Sequence, residues 1–270
     1  MAYGNFKQTF WSKKIQHELE KRTILAEWCN KEFEGEAKQG NAVKILGVGK
    51  PTVGDYTGAS IGDPEEVADS SVTLLIDKAK YFNFAVDDVD KAQSVPGLME
   101  ALTEEATRAM AIAVDTAIAA LAVNAGTTSA STQINTAALA KTAIDAGILA
   151  LREADVQIDD EVVLEIPPFV YQLLKDKYIE LDTANSEMMK KGIVGYYDNV
   201  KVRVSTNLYN DGTDYYCMLR TKKAMAYVNQ IDKLEAYRPA TGFKDALKGL
   251  NVFGAKVVRP KELYVIRAHK

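Results

Sequence analysis

Residues 81–124 read YFNFAVDDVDKAQSVPGLMEALTEEATRAMAIAVDTAIAALAVN, and the period of the apolar positions changes once within them. As far as Val86 the stretch continues a partly alternating strand pattern that begins at Val72. Past the acidic passage Asp87, Asp88 and Asp90, Ser94 is placed to cap a helix and Pro96 to occupy its first turn. From there Leu98, Leu102, Ala106, Ala109, Ala113, Ala117 and Ala120 recur at helical spacing, with Met110, Val114, Ile118 and Leu121 in an adjoining stripe. Glu100, Glu104 and Glu105 fall in the early turns, where the helix dipole favours carboxylates. A helix over residues 96–124 would be roughly 40 Å long at 1.5 Å per residue. Its many alanines suit close packing along the whole length.

Towards the N-terminus, residues 49–71 read GKPTVGDYTGASIGDPEEVADSS and have almost no large aliphatics. They are bracketed by two strand candidates, residues 41–48 and 72–86, so the expected unit is a hairpin whose long polar tip cannot bury itself. Unstructured loops of about 20 residues are uncommon in compact domains and are usually functional or disordered. Before the hairpin, residues 12–33 carry Ile15, Leu19, Leu25, Trp28 and Cys29 near helical spacing and read as a helix. The first ten residues, MAYGNFKQTF, have aromatics without a period and read as an arm that gains order against a partner.

Towards the C-terminus, residues 126–133 read as a polar linker and residues 136–154 as an amphipathic helix. A strand over 161–166 ends at Pro167-Pro168, which start a helix over 169–177. Residues 181–191 are a weak helix or loop. Residues 192–206 read as a hairpin turning at Asp198-Asn199. Strands follow over 215–219, 224–228 and 234–237, then a turn or short helix over 243–247. Residues 251–258 and 262–267 read as a closing strand pair. Helices and strands mix without regular βαβ alternation, so the expected class is α+β.

Composition narrows the function. The chain of 270 residues is 47% hydrophobic and 26% charged, enough to bury a sizeable core. No uninterrupted apolar run approaches the ~18 residues of a membrane span, and residues 1–10 lack the apolar region of a signal peptide. Cys29 and Cys217 lie far apart, which makes a disulfide framework or structural zinc site unexpected and a reducing compartment the default. A net charge of −4 argues against a general nucleic-acid binder. The average hides a polarity: residues 1–189 carry 17 Lys and Arg against 30 Asp and Glu, whereas residues 190–270 carry 16 against 7. The two halves would neutralise each other within one fold or between copies.

No catalytic set assembles. The GVGK at 47–50 lacks the phosphate-loop pattern, having Lys44 and Pro51 where glycine and a hydroxyl residue are needed. Asp87, Asp88 and Asp90 lack calcium-loop spacing, and carboxylates before a helix usually satisfy backbone N–H groups. His17 and His269, the only histidines, sit near the chain ends, and neither cysteine has the basic flank of an activated thiolate. The pairs Lys190-Lys191 and Lys222-Lys223 read as protection of strand edges more readily than as phosphate ligands. The residues point to a structural or binding protein, without cofactor or metal.

The order of elements resembles the major capsid proteins of tailed bacteriophages, whose fold is shared with herpesvirus capsid floors and encapsulins. The resemblance runs over nearly the whole chain. It rests on ILAEWCNKEFEGE (24–36), NAVKIL (41–46), YFNFAVDDVDKAQS (81–94), Ile166-Pro167-Pro168 with the helix after it, KGIVGYYDNVKVRVSTNL (191–208) and AYRPATGFKDALKGLNVFGAKVVRP (236–260). DDVDKAQS ahead of a long helix is the most specific match. The resemblance implies an N-terminal arm and helix over 1–40 and an extended hairpin loop over 41–95. A peripheral domain with the spine helix follows over 96–135, then an axial domain over 136–230 and a return to the peripheral domain over 231–270.

It further implies a non-enzymatic shell protein, forming hexamers and pentamers of an icosahedral capsid around double-stranded DNA bound without sequence specificity. Such a protein is located in the virion capsid and assembled in the host cytoplasm. Many relatives carry a cleaved helical extension, whereas here the arm starts almost at Met1, so a separate scaffolding protein is expected, with a portal protein as a further partner and no membrane. Expected intersubunit contacts are the arm residues Phe6, Phe10 and Trp11 and the acidic hairpin residues Asp55, Asp63, Glu65, Glu66 and Asp69. The acidic set would lie over a neighbour's Lys244, Lys248, Lys256, Arg259 and Lys261. Two alternatives remain at this level: an encapsulin-type cellular compartment, and a small α+β enzyme or ligand-binding domain.

Overall fold

The computed structural model describes residues 24–38, 40–48, 53, 69–88, 98–156, 158, 162–175, 193–240 and 242–270. The arm residues Phe6, Phe10 and Trp11, the helix expected over 12–23, the hairpin-tip residues Asp55, Asp63, Glu65 and Glu66, and the segment 181–191 lie outside the described residues.

In chain order the strands are β1 (Ala42–Val48), β2 (Asp69–Leu75), β3 (Lys78–Asp87), β4 (Thr127–Thr128), β5 (Thr132–Gln133), β6 (Val162–Ile166), β7 (Ile193–Tyr197), β8 (Val200–Val204), β9 (Tyr215–Thr221), β10 (Met225–Tyr237), β11 (Lys244–Val257) and β12 (Leu263–His269). The α-helices are α1 (Leu98–Ala119), α2 (Ala137–Glu153) and α3 (Pro168–Leu174). They form a two-stranded sheet β1-β2, a three-stranded sheet β10-β11-β3, and a seven-stranded sheet ordered β4-β12-β9-β6-β8-β7 with β5 also on β12. The class is α+β.

The large sheet alternates strictly. Val162, Leu164 and Ile166 of β6, Val200 and Val202 of β8, Cys217 and Leu219 of β9 and Ile266 of β12 face α2 and α3, meeting Ile144, Ile148, Leu151, Val170 and Leu174 in the main core. The opposite faces of β9 and β12 send Met218, Leu263 and Val265 into a second core with Leu25, Cys29, Val114, Ile118 and Phe253. Thr136 caps α2 by accepting from the Leu139 N–H, and Pro168 opens α3 in the position where a missing N–H costs nothing. Asp198 and Asn199 both have positive φ, +45° and +63°, as the expected two-residue hairpin turn between β7 and β8 requires.

α1 bridges the two cores. Met99 lies with Phe82, Phe84, Leu234 and Leu247 of the small sheet, Met110 with Phe82, and Val114, Ile118 and Ala122 reach the second core. After Ala119 the helix tightens into a 3₁₀ turn over Ala120–Asn124. By length and composition Met99–Asn124 is the one helix among the described residues that would suffice to cross a membrane, a property the search for uninterrupted runs did not show. In this fold its buried side is spent on the two cores.

Several expectations are corrected. The strand over 72–86 is two strands in different sheets: Ile76 is buried, donates its N–H to the Asn41 carbonyl at 2.9 Å, and turns the chain from β2 to β3. The helix expected to run on to Phe33 is replaced from Ala26 by 3₁₀ turns, because Leu25 and Trp28 spend their carbonyls on Arg220. The linker 126–133 contains β4 and β5, which pair in parallel with β12. Strands 224–228 and 234–237 are one 13-residue strand carrying a bulge between Asn229 and Ile231. The turn expected at 243–247 begins the 14-residue β11, held by pairing on both sides. β11 and β12 do not pair with each other, since the 3₁₀ turn Pro260–Glu262 redirects the chain, so within the expected peripheral return 231–270 the last strand joins the large sheet.

Candidate assembly surfaces

The hairpin stands on the small sheet by one face. Val43, Ile45 and Leu74 point inward with Ile76 against Ala226 and Val228, while Leu46 and Leu75, on the other face of the pleat, are 69% and 53% exposed. The register runs from Ala42 opposite Leu75 to Val48 opposite Asp69, so the acidic residue nearest the base is already part of the ladder. The root is seated closely: a Cβ on Gly254 of β11 would lie 2.4 Å from the Leu75 carbonyl oxygen.

The three-stranded sheet is also one-sided. Its inner face carries Phe82 and Phe84 to α1, and Phe82 lies over Gly249 so closely that a Cβ there would meet the ring at 2.3 Å. On the outer face Tyr81 sits opposite Leu250, and Leu250 opposite Lys233; Tyr81 is 80% exposed. Beside this row a depression of about 310 Å³ is lined by Tyr81, Asn83, Glu235 and Lys248, among others. Phe243, at the distal turn between β10 and β11, is 77% exposed. Apolar groups so placed on an unpartnered face suit contact with another protein surface.

The basic residues expected to meet a neighbour's hairpin are distributed along the same region, and three are engaged within the chain. Lys248 Nζ is 2.8 Å from Glu235 Oε2 and 5.1 Å from the Tyr237 ring centre, and its hydrogen bond to Glu235 holds its pKa above the usual lysine value. Lys256 Nζ donates to the Thr73 carbonyl of β2 at 2.7 Å, tying the chain's own hairpin down. Arg259 pairs with Glu262 at 2.9 Å. Lys244 is half-buried opposite Asp87 in the β11–β3 ladder, and Lys261 is exposed in the 3₁₀ turn. Asp88, from the acidic passage, pairs with Arg238 on the small sheet.

Sequence reading did not single out the charged cluster where the N-terminal segment crosses the large sheet. Arg220 and Glu165 are fully buried and joined by two hydrogen bonds, Nε to Oε2 at 3.0 Å and Nη2 to Oε1 at 2.8 Å. Arg220 Nη1 also donates to the Trp28 carbonyl at 2.6 Å, and Nη2 to the Leu25 carbonyl at 3.2 Å. Burial opposes the Arg220 charge, and the Glu165 carboxylate more than offsets it. Arg203, one strand away, reaches Glu27 at 3.3 Å. Asp115 of α1, 1% exposed, accepts the N–H groups of Ile24 and Leu25 at 3.2 and 3.1 Å, and burial pushes its pKa up to about 6. A signal was present: Glu165 interrupts the apolar VVLEI, and Arg220 follows CML.

Nucleophilic chemistry finds no arrangement here. Burial raises both thiols, Cys217 to about 12. His269 does meet Ser131 and Asp214, but Asp214 Oδ1 and Ser131 Oγ both address the same ring nitrogen, Nδ1, at 2.8 and 3.4 Å. A base between nucleophile and carboxylate would use both nitrogens. Among the described residues no cluster of three His, Cys, Asp or Glu side chains fits a metal.

A family model described as phage capsid protein matches residues 69–266. A solved chain from Mycobacterium phage Che8 is 33% identical and superposes with a TM-score of 0.76 over 90% of each chain. The capsid structure of cyanophage P-SCSP1u, 16% identical, gives 0.71 over 86% of this chain and 85% of that one. A virus-like particle from Pyrococcus furiosus, 13% identical, gives 0.61 over 98% of this chain and 100% of that one. The last two show the fold alone. No curated protein matches the chain.

Proposed function

The chain belongs to the phage capsid protein family, and from that premise we propose that it builds the hexamers and pentamers of an icosahedral shell enclosing double-stranded DNA. It is a structural major capsid protein that assembles with copies of itself. The observation that carries the finer reading is the one-sidedness of the hairpin and the small sheet: Leu46, Leu75, Tyr81 and Phe243 are exposed on faces whose reverse sides are packed.

In this reading β3, β10, β11 and the first half of α1 form the peripheral part, and the large sheet with α2 and α3 forms the axial part. The acidic hairpin lies over a neighbour's small sheet and its Lys244, Lys248 and Lys261, while Phe6, Phe10 and Trp11 anchor the arm on an adjacent subunit. Exposed ion pairs contribute about 0–1 kcal/mol each, so the shell is held by many weak contacts that let misplaced subunits leave. A separate scaffolding protein, a portal and assembly in the host cytoplasm complete the proposal.

Electron microscopy of the purified chain tests it: closed shells or five- and six-membered rings are expected, and a solitary molecule at high concentration would refute it. Replacing residues 49–68 by a short glycine linker keeps β2 intact and should leave a folded subunit unable to close shells. Shells containing DNA are expected from infected cells; shells filled with an enzyme cargo would move the reading to a cellular compartment.

A further inference from the structure

α1 has more apolar surface than its two cores use. Leu102, Ala109, Ile112 and Thr116 lie on its side away from both sheets, spaced as one helical stripe, with Leu102 36% and Ile112 41% exposed. A surface helix ordinarily fills such a stripe with charge; here Glu105 is the charge within it and Arg108 flanks it.

The described chain begins beside this stripe. Ile24 and Leu25 are fastened by their N–H groups to Asp115, so the residues before them leave from the middle of α1. We propose that residues 12–23, SKKIQHELEKRT, of the same chain cover the outward stripe of α1, lying antiparallel to it from Asp115 towards Leu102.

Length, pattern and charge agree on this occupant. Twelve residues in a helix extend about 18 Å, and the 13 residues from Leu102 to Asp115 about 20 Å. Ile15 and Leu19 are one turn apart and give the segment a single apolar edge. In the antiparallel direction Leu19 comes level with Ile112 and Ile15 approaches Ala109. Glu18 then comes beside Arg108, and Lys14 beside Glu105. The parallel direction offers nothing comparable, since residues 116–124 carry no charge. Phe6, Phe10 and Trp11 precede the segment and remain available to a neighbour. The proposal concerns the single subunit and stands whether or not shells form.

Disulfide trapping in the full-length chain tests it. Cys29 and Cys217 are buried, so Leu19→Cys combined with Ile112→Cys supplies the reactive pair. Mild oxidation should give an intrachain bond, seen as a faster monomer band on a non-reducing gel at every protein concentration. His17→Cys with Ile112→Cys, half a turn off the apolar edge, should form it far more slowly. Dimers or ladders from the first pair would overturn the proposal by giving the stripe to another copy's segment. Two thiols that stay reactive to maleimide would overturn it as well. Lys14→Glu should slow the intrachain bond about threefold, the scale of one exposed ion pair, and Glu105→Lys added to it should restore the rate. A rate unmoved by either change would reject the antiparallel direction.

Discussion

The large sheet and the small sheet are built from similar residues, yet one is finished and the other is not. β6 lies between neighbouring strands with all five residues buried, α2 and α3 cover one side, and the N-terminal segment crosses the other. The small sheet has α1 on its inner side, and among the described residues its outer side carries Tyr81 and Leu250 exposed to solvent. A sheet with one covered face can be stable, but its apolar outer residues gain nothing until a partner arrives. The division of labour in a shell protein follows: the axial part holds the subunit's stability and the peripheral part holds its contacts.

The sharpest way to break that comparison is to strike the finished side. Arg220→Met leaves Glu165 buried without its partner and frees the Leu25 and Trp28 carbonyls, at a cost of about 3–5 kcal/mol. Denaturant unfolding should show this loss, and the double variant with Glu165→Leu should recover much of it.

Asp115 gives an effect of about 2–3 kcal/mol with a defined pH window. Its pKa is about 6 in the fold against 3.8 unfolded, so it favours folding fully only below the unfolded value, and that contribution is lost as pH rises through about 6. Stability measured by denaturant midpoint should therefore decline from pH 4 to 6 through this group, and Asp115→Asn should flatten that slope.

On the unfinished side the expected costs are smaller and local. Gly254→Ala pushes a methyl against the Leu75 carbonyl oxygen and should cost about 1–3 kcal/mol. Hydrogen exchange should then rise in β1 and β2 while β6 and β9 keep their protection. The smallest stability change belongs to Tyr81→Ser, within about 0.5 kcal/mol, because its ring has little to lose. If that variant assembles as well as the parent chain, the outer face of the small sheet is not a contact surface.

The elements with a strong period were legible in advance: α1, α2, the β7–β8 turn at Asp198-Asn199 and the hairpin root at 42–48. The misread ones share a cause. Residues 224–237 carry a polar bulge that looks like a strand break, and residues 244–247 have no local preference that would resist being a turn. Each is a strand because two neighbours supply its backbone partners. The charged cluster was missed because Glu165, Arg203, Arg220 and Asp115 are separated by up to 105 residues, and only alternation within β6, β8 and β9 puts three of them on one face.

Sequence by itself determined the α+β class, the long alanine-rich helix, the excess of acid before residue 190 and of base after it, and the order of elements that marks the family. These are local or additive properties, carried by periodicity and composition along the chain. Tertiary structure alone decided that β2 and β3 part at Ile76, that the last strand enters the large sheet, and that Arg220 holds residues 25–28 out of a helix. Those outcomes depend on which distant backbone groups and charges find one another, and no stretch of chain contains both partners.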